Sequence, residues 1–217
     1  MESESTNPNN DLRAIRDIME RSSRFLSLSG LAGIFAGLCA LIGAFFAWLF
    51  IFDSDKERFG EFLRSTDVSI TSGIGLYLSL DAILVLVAAI LGAACFSRRK
   101  ARQAGQPVWT TTTRRLIIHV AIPLLTGGIF ILILAVRNHL ELVASVMLIF
   151  YGLSLVNAGK FTFSEIHYLG LTEIVLGILA GVFVSQGLLL WTIGFGLMHL
   201  LYGSIMYYRY ERQKKVV

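Results

Sequence analysis

Glu173 and His199 are the two side chains in this sequence whose type and spacing suggest chemistry within an apolar setting. Glu173 falls between Gly170 and Gly177, and His199 falls between Gly196 and Gly203. A turn centred on Gln186 lies thirteen residues from each. In an antiparallel helical hairpin that equality sets both side chains at one depth. A carboxyl beside an imidazole is able to share or relay a proton. A lone charge at the centre of a bilayer costs about 2.5–3.5 kcal/mol on insertion scales, so pairing favours both groups. Two readings fit the pattern. Either the pair is a proton, ion or ligand site, or a neutral Glu173 hydrogen-bonds His199 and fixes the hairpin register.

The same register logic places His119 opposite Asn157, as a polar contact between neighbouring helices. Asp81 lies 17 residues before the basic run that begins at Arg98, towards the other end of its helix. At helical rise this separates it from the depth of Glu173 by about 10 Å. A shared Asp81–Glu173–His199 cluster is not expected, and Asp81 instead lines an outward cavity or lies near the interface. There is no HxxxH, no cysteine pair and no carboxylate pair at ligand spacing, so neither a metal nor a cofactor is expected. Cys39 and Cys95 fall at different depths and read as free packing residues. No nucleophile–base set, phosphate-binding loop or dinucleotide fingerprint is found, and an enzyme is not expected.

These residues sit in a chain of 217 residues that is 55% hydrophobic and only 16% charged. Six apolar stretches account for this: 25–52, 70–96, 116–136, 140–157, 166–185 and 188–208. A hydrocarbon core of about 30 Å needs about 20 helical residues. Residues 82–96 are fifteen consecutive apolar positions, which excludes the alternation of a strand barrel. The fold class is therefore all-α and polytopic, with six transmembrane helices. Short links (137–139, 158–165, 185–187) force antiparallel neighbours and imply three helical hairpins.

The basic residues fall on alternate sides of these spans. One side holds fifteen Lys and Arg, the other four. Basic loops stay cytoplasmic, so both termini are expected inside a bacterial cytoplasmic membrane. The first span reads as retained, because the polar, acidic residues before it do not form a signal peptide. The expected organisation is a cytoplasmic segment (1–24), a transmembrane domain (25–208) and a basic tail (209–217). Within the first segment, Leu12, Ile15, Ile18 and Met19 share one face of a short amphipathic helix at the interface. The outer loop 53–69 reads as a solvated connector. The inner loop 97–115 carries Arg98, Arg99, Lys100, Arg102, Arg114 and Arg115 and no acid, which suits anionic lipid headgroups. Topology explains this charge without nucleic acid. Thr113 is the expected cap of the third helix.

Small residues recur at helical spacing, four or seven residues apart: Gly33 and Gly37 in the first span, Gly177 and Gly181 in the fifth, Gly196 and Gly203 in the sixth. Such stripes let helix backbones approach closely, within one chain or between copies or an unknown membrane partner. Pro123 stands inside the third span and is expected to kink it or open a carbonyl-lined break. Weak internal similarity links Gly30-Leu31-Ala32-Gly33-Ile34 to Gly170-Leu171-Thr172-Glu173-Ile174, and Phe150-Tyr151-Gly152 to Leu201-Tyr202-Gly203. These are either parallel repeats or chance likeness between Gly/Leu-rich helices.

The segments Tyr168–Gly177, Gly194–His199 and Leu201–Tyr207, together with Met19–Gly30, resemble a family of uncharacterised bacterial six-span integral membrane proteins. The resemblance spans most of the chain and implies the same six-span fold, with no activity to carry over. A looser likeness, in glycine spacing, is to acid-resistance membrane proteins made of repeated helical hairpins. The expected role is structural, sensory or partner-regulating. The alternative is a small transporter or proton-coupled carrier working through Glu173 and His199.

Overall fold

The computed structural model describes residues 28–52, 73–105 and 107–212. Among the described residues the chain is all-helical, with six helices long and apolar enough to cross a membrane. They are α1 (Gly30–Phe52), α2 (Gly73–Gln103), α3 (Thr111–Val136), α4 (Leu140–Gly159), α5 (Ser164–Val182) and α6 (Val184–Arg212). The amphipathic segment expected before the first span and the outer loop 53–69 lie outside the described residues.

Local chemistry sets the boundaries. The basic run expected in a loop is mostly helical, because α2 continues to Gln103 before the chain turns. Lys and Arg are good helix formers, and their charge suits a helix C-terminus. Gly105 at φ 63° then reverses the chain, a conformation glycine adopts without steric cost. The cap of α3 is Thr110 rather than Thr113: the Thr110 hydroxyl accepts the Thr113 backbone N–H at 3.1 Å. Thr113 turns its own hydroxyl back to the Val108 carbonyl. At the other end of α3, Asn138 takes φ 58°, and the N–H groups of Asn138 and His139 return to the carbonyls of Ala135 and Leu134. This left-handed stop suits asparagine and makes the three-residue link to α4 possible. The helix runs unbroken through Pro123. Thr126 donates to the Ile122 carbonyl beside it, and Gly127 seats the Phe150 ring of α4.

Packing follows the glycines. The broadest helix–helix interface joins α4 to α5, and a second broad one joins α1 to α6. α1 also packs on α2, and α4 on α3. A Cβ added to Gly152 would meet the Gly170 carbonyl at 2.6 Å, and one on Gly170 would meet the Gly152 carbonyl at 2.7 Å. The second interface repeats this reciprocal contact: a Cβ on Gly30 would meet the Gly203 carbonyl at 2.6 Å, and one on Gly203 the Gly30 carbonyl at 2.9 Å. Gly37 lies on Gly196 and Leu200 of α6, Gly33 lies on Gly203, and Gly177 lies on Ile149 of α4. Gly181 lies on Ser145, whose hydroxyl donates to the Gly177 carbonyl at 2.7 Å. All these approaches are intramolecular. Gly30 meets Tyr207, so the start of α1 and the end of α6 share one end of the bundle. α2 and α3 are peripheral: only 6% of the most apolar stretch of each is buried, against 39% of that stretch in α1, α4 and α5.

Candidate functional site

The site is built on α4, α5 and the middle of α6. In α6 the helix winds as a π-helix over Thr192–Met198 and returns to α-helical winding at His199. Such widened turns are uncommon and recur at functional positions. His199 donates Nδ1–H back to the Gly194 carbonyl at 3.0 Å, since a carbonyl only accepts. Its other ring nitrogen, Nε2, is then the acceptor, and the Tyr151 hydroxyl of α4 donates to it at 2.7 Å. Both ring nitrogens are thereby satisfied in a neutral imidazole. Phe195 stacks on the His199 ring at 6.0 Å and meets the Tyr151 ring at a tilt, 4.9 Å away, which holds both rings in place.

Glu173 of α5 completes the cluster. Its exposure is 0%, and that of His199 is 5%. His199 Nδ1 lies 3.4 Å from Glu173 Oε1, so the two expected partners do meet. The ring N–H is directed at Gly194, however, and among the described residues neither carboxyl oxygen receives a hydrogen bond. A Cβ on Gly194 would collide with Glu173 Oε2 and with Leu148 at 2.6 Å. Glycine at this position is what lets α6 close over the carboxyl. A buried carboxylate without a donor is strongly unfavourable, whereas the neutral acid is tolerable. The arrangement is thus a tyrosine–histidine pair, fully hydrogen-bonded, abutting a carboxyl that is enclosed and unbonded.

Comparison with protein families, curated proteins and solved structures finds no match. What the cluster does is therefore read from its own geometry.

The other expected positions separate from it. Asp81 lies against Gly43 of α1 and does not gather with Glu173 and His199 into one ligand cluster. Among the described residues no three His, Cys, Asp or Glu side chains gather into a ligand set. His119 does not hydrogen-bond Asn157: it is exposed, and its ring stacks on Phe161 at 5.1 Å. Cys39 and Cys95 are both free.

A second polar cluster went unanticipated. At the end of the bundle shared by Gly30 and Tyr207, Glu211 accepts the Gly30 backbone N–H at 2.7 Å and the Ser29 hydroxyl at 3.3 Å. Lys100 of α2 joins it at 3.1 Å and also donates to the Leu28 carbonyl at 2.6 Å. Beside it, Glu165 of α5 accepts from Arg209 at 2.9 Å and from the Tyr210 hydroxyl at 3.0 Å. Together these bonds tie α1, α2, α5 and α6 at one end. Lys100 is therefore engaged within the protein rather than held out to lipid.

Proposed function

We propose that this chain is a non-enzymatic, multi-pass membrane protein with a sensory or partner-regulating role, in which Glu173 is the proton-binding group. The observation that carries this reading is the enclosure of an unbonded carboxyl against a π-helical segment. The packed state accommodates the neutral acid, and an ionised Glu173 needs donors or water. Supplying either requires α6 to move at Thr192–Met198, beside Gly194. Ionisation and helix movement are thereby linked. Around this site the proposal keeps three helical hairpins, an interfacial N-terminal helix, and both termini on the cytoplasmic side of a bacterial inner membrane. The charge asymmetry of the loops supports that orientation.

Hydrogen exchange across residues 184–199, in lipid nanodiscs over a range of pH, tests the reading. With the intrinsic base catalysis of amide exchange divided out, protection is expected to fall as pH rises in the parent protein and to stay flat in Glu173→Gln, which keeps the shape but cannot ionise. A parent profile without pH dependence, or an unchanged response in Glu173→Gln, would sink it. The second reading is a proton-coupled carrier. It is favoured by the contiguous Tyr151–His199–Glu173 chain, and opposed by the lack of exposure of Glu173. Pyranine-loaded liposomes separate the two: a carrier acidifies the lumen under an imposed gradient, whereas the sensory reading expects no flux above empty vesicles.

A further inference from the structure

We propose that the inner end of α2 carries a binding groove for an anionic phospholipid, with the phosphate held by Arg98, Arg99 and Arg102 and an acyl chain lying along Leu91, Ala94 and Cys95. The groove has a volume of about 500 Å³, and among the described residues these six and Gln103 line it. Leu91, Cys95, Arg98 and Arg102 recur at spacings of four, three and four, which is one stripe of a helix. Along that stripe the lining changes from apolar to cationic within about two turns. A phospholipid has the same profile at the edge of the hydrocarbon core. A free phosphate uses only the cationic half. A guanidinium presents a planar fork that fits a phosphate bidentately, and three adjacent forks favour an anion over a zwitterion.

The pairing pattern at this end supports the assignment. Lys100 lies about 200° around the helix from Arg98, faces inward and is bound by Glu211. Arg209 is bound by Glu165. Among the described residues, Arg98, Arg99 and Arg102 are exposed and make no hydrogen bond or ion pair, and Glu165 and Glu211 are already engaged. The N-terminal stretch 11–24 is a poor occupant, because Arg13, Arg16, Arg21 and Arg24 outnumber its three acids.

Cys95 is exposed within the groove and reports on its occupancy. In a Cys39→Ser background, labelling of Cys95 by a membrane-permeant maleimide is measured in nanodiscs of phosphatidylcholine with and without phosphatidylglycerol. Native mass spectrometry counts retained lipid in parallel. Phosphatidylglycerol is expected to slow labelling by about tenfold and to be retained in preference to phosphatidylcholine. Replacing Arg98, Arg99 and Arg102 by Gln abolishes both effects, whereas Arg114→Gln with Arg115→Gln, a similar loss of charge elsewhere, changes them less than about twofold. Equal losses in the two variants would show a diffuse charge effect and overturn the proposal. So would protection by inorganic phosphate without lipid, protection that grows with protein concentration (a second copy), or protection that is lost on Asp17→Asn with Glu20→Gln (the chain's own N-terminal stretch).

Discussion

At the scale of single residues, the structure assigns unequal roles to three polar groups that touch. Tyr151 donates to His199, so Tyr151→Phe leaves a buried ring nitrogen without a partner. That change is expected to cost about 1–3 kcal/mol, read as reduced resistance to unfolding in mixed micelles. Glu173→Gln should cost less than Tyr151→Phe, because Glu173 accepts no hydrogen bond that the amide would forfeit. A reversed order would mean that Glu173 is bonded in the native membrane. Gly194→Ala tests the close approach itself. Its Cβ collides with Glu173 Oε2, and overpacking of this kind costs about 1–3 kcal/mol. In a Glu173→Ala background the penalty should fall, a coupling that a double-mutant cycle measures directly. The meeting of Glu173 and His199 was readable in the sequence, since equal distances from one tight turn fix a common depth. Tyr151 was not. It reaches the site from α4, which no turn joins to α6, and register counting works only across consecutive helices.

At the scale of helices, two interfaces repeat one design. Gly30 against Gly203 joins α1 to α6, and Gly170 against Gly152 joins α5 to α4. These are the same glycines that the internal similarity aligned, Gly30 with Gly170 and Gly152 with Gly203. The sequence showed the stripes but not their partners, because a small residue is compatible with any helix that approaches it. Polar residues at helix ends were harder still to place. A loop charge count treats Lys100 as equivalent to Arg98, although helical phase turns one into the bundle and the other out. Glu211 sits in what reads as a basic tail, yet it binds the start of α1. Glu211→Gln is expected to lower stability by about 1.5–3 kcal/mol, the worth of a hydrogen bond to a charged group. Lys100→Gln should cost a similar amount, and the double variant should cost less than the sum. Additive losses would show that the two do not act as one lock.

For the whole molecule, burial divides the six helices into an inner set and two flanks. α1, α4, α5 and α6 meet through glycines, and α4, α5 and α6 enclose Glu173, whereas α2 and α3 each pack mainly on one neighbour and leave broad apolar faces outward. Leu84 and Leu125 on those flanks are 68% and 67% exposed, while Leu148 is completely buried beside the carboxyl. In water such faces would demand a partner. In a bilayer lipid covers them, because chain–lipid and chain–chain apolar contacts are nearly equivalent there. Side-chain size should therefore matter in opposite ways at the two kinds of position. Leu148→Ala opens a cavity in the packed centre and is expected to cost about 2–5 kcal/mol. Leu84→Ala and Leu125→Ala remove surface that contacts only lipid and should each cost less than about 1 kcal/mol. Unfolding in mixed micelles compares the three. A loss at Leu84 or Leu125 as large as that at Leu148 would mean that a protein partner, rather than lipid, covers that flank. A second copy of this chain would then show itself by a stability that rises with protein concentration.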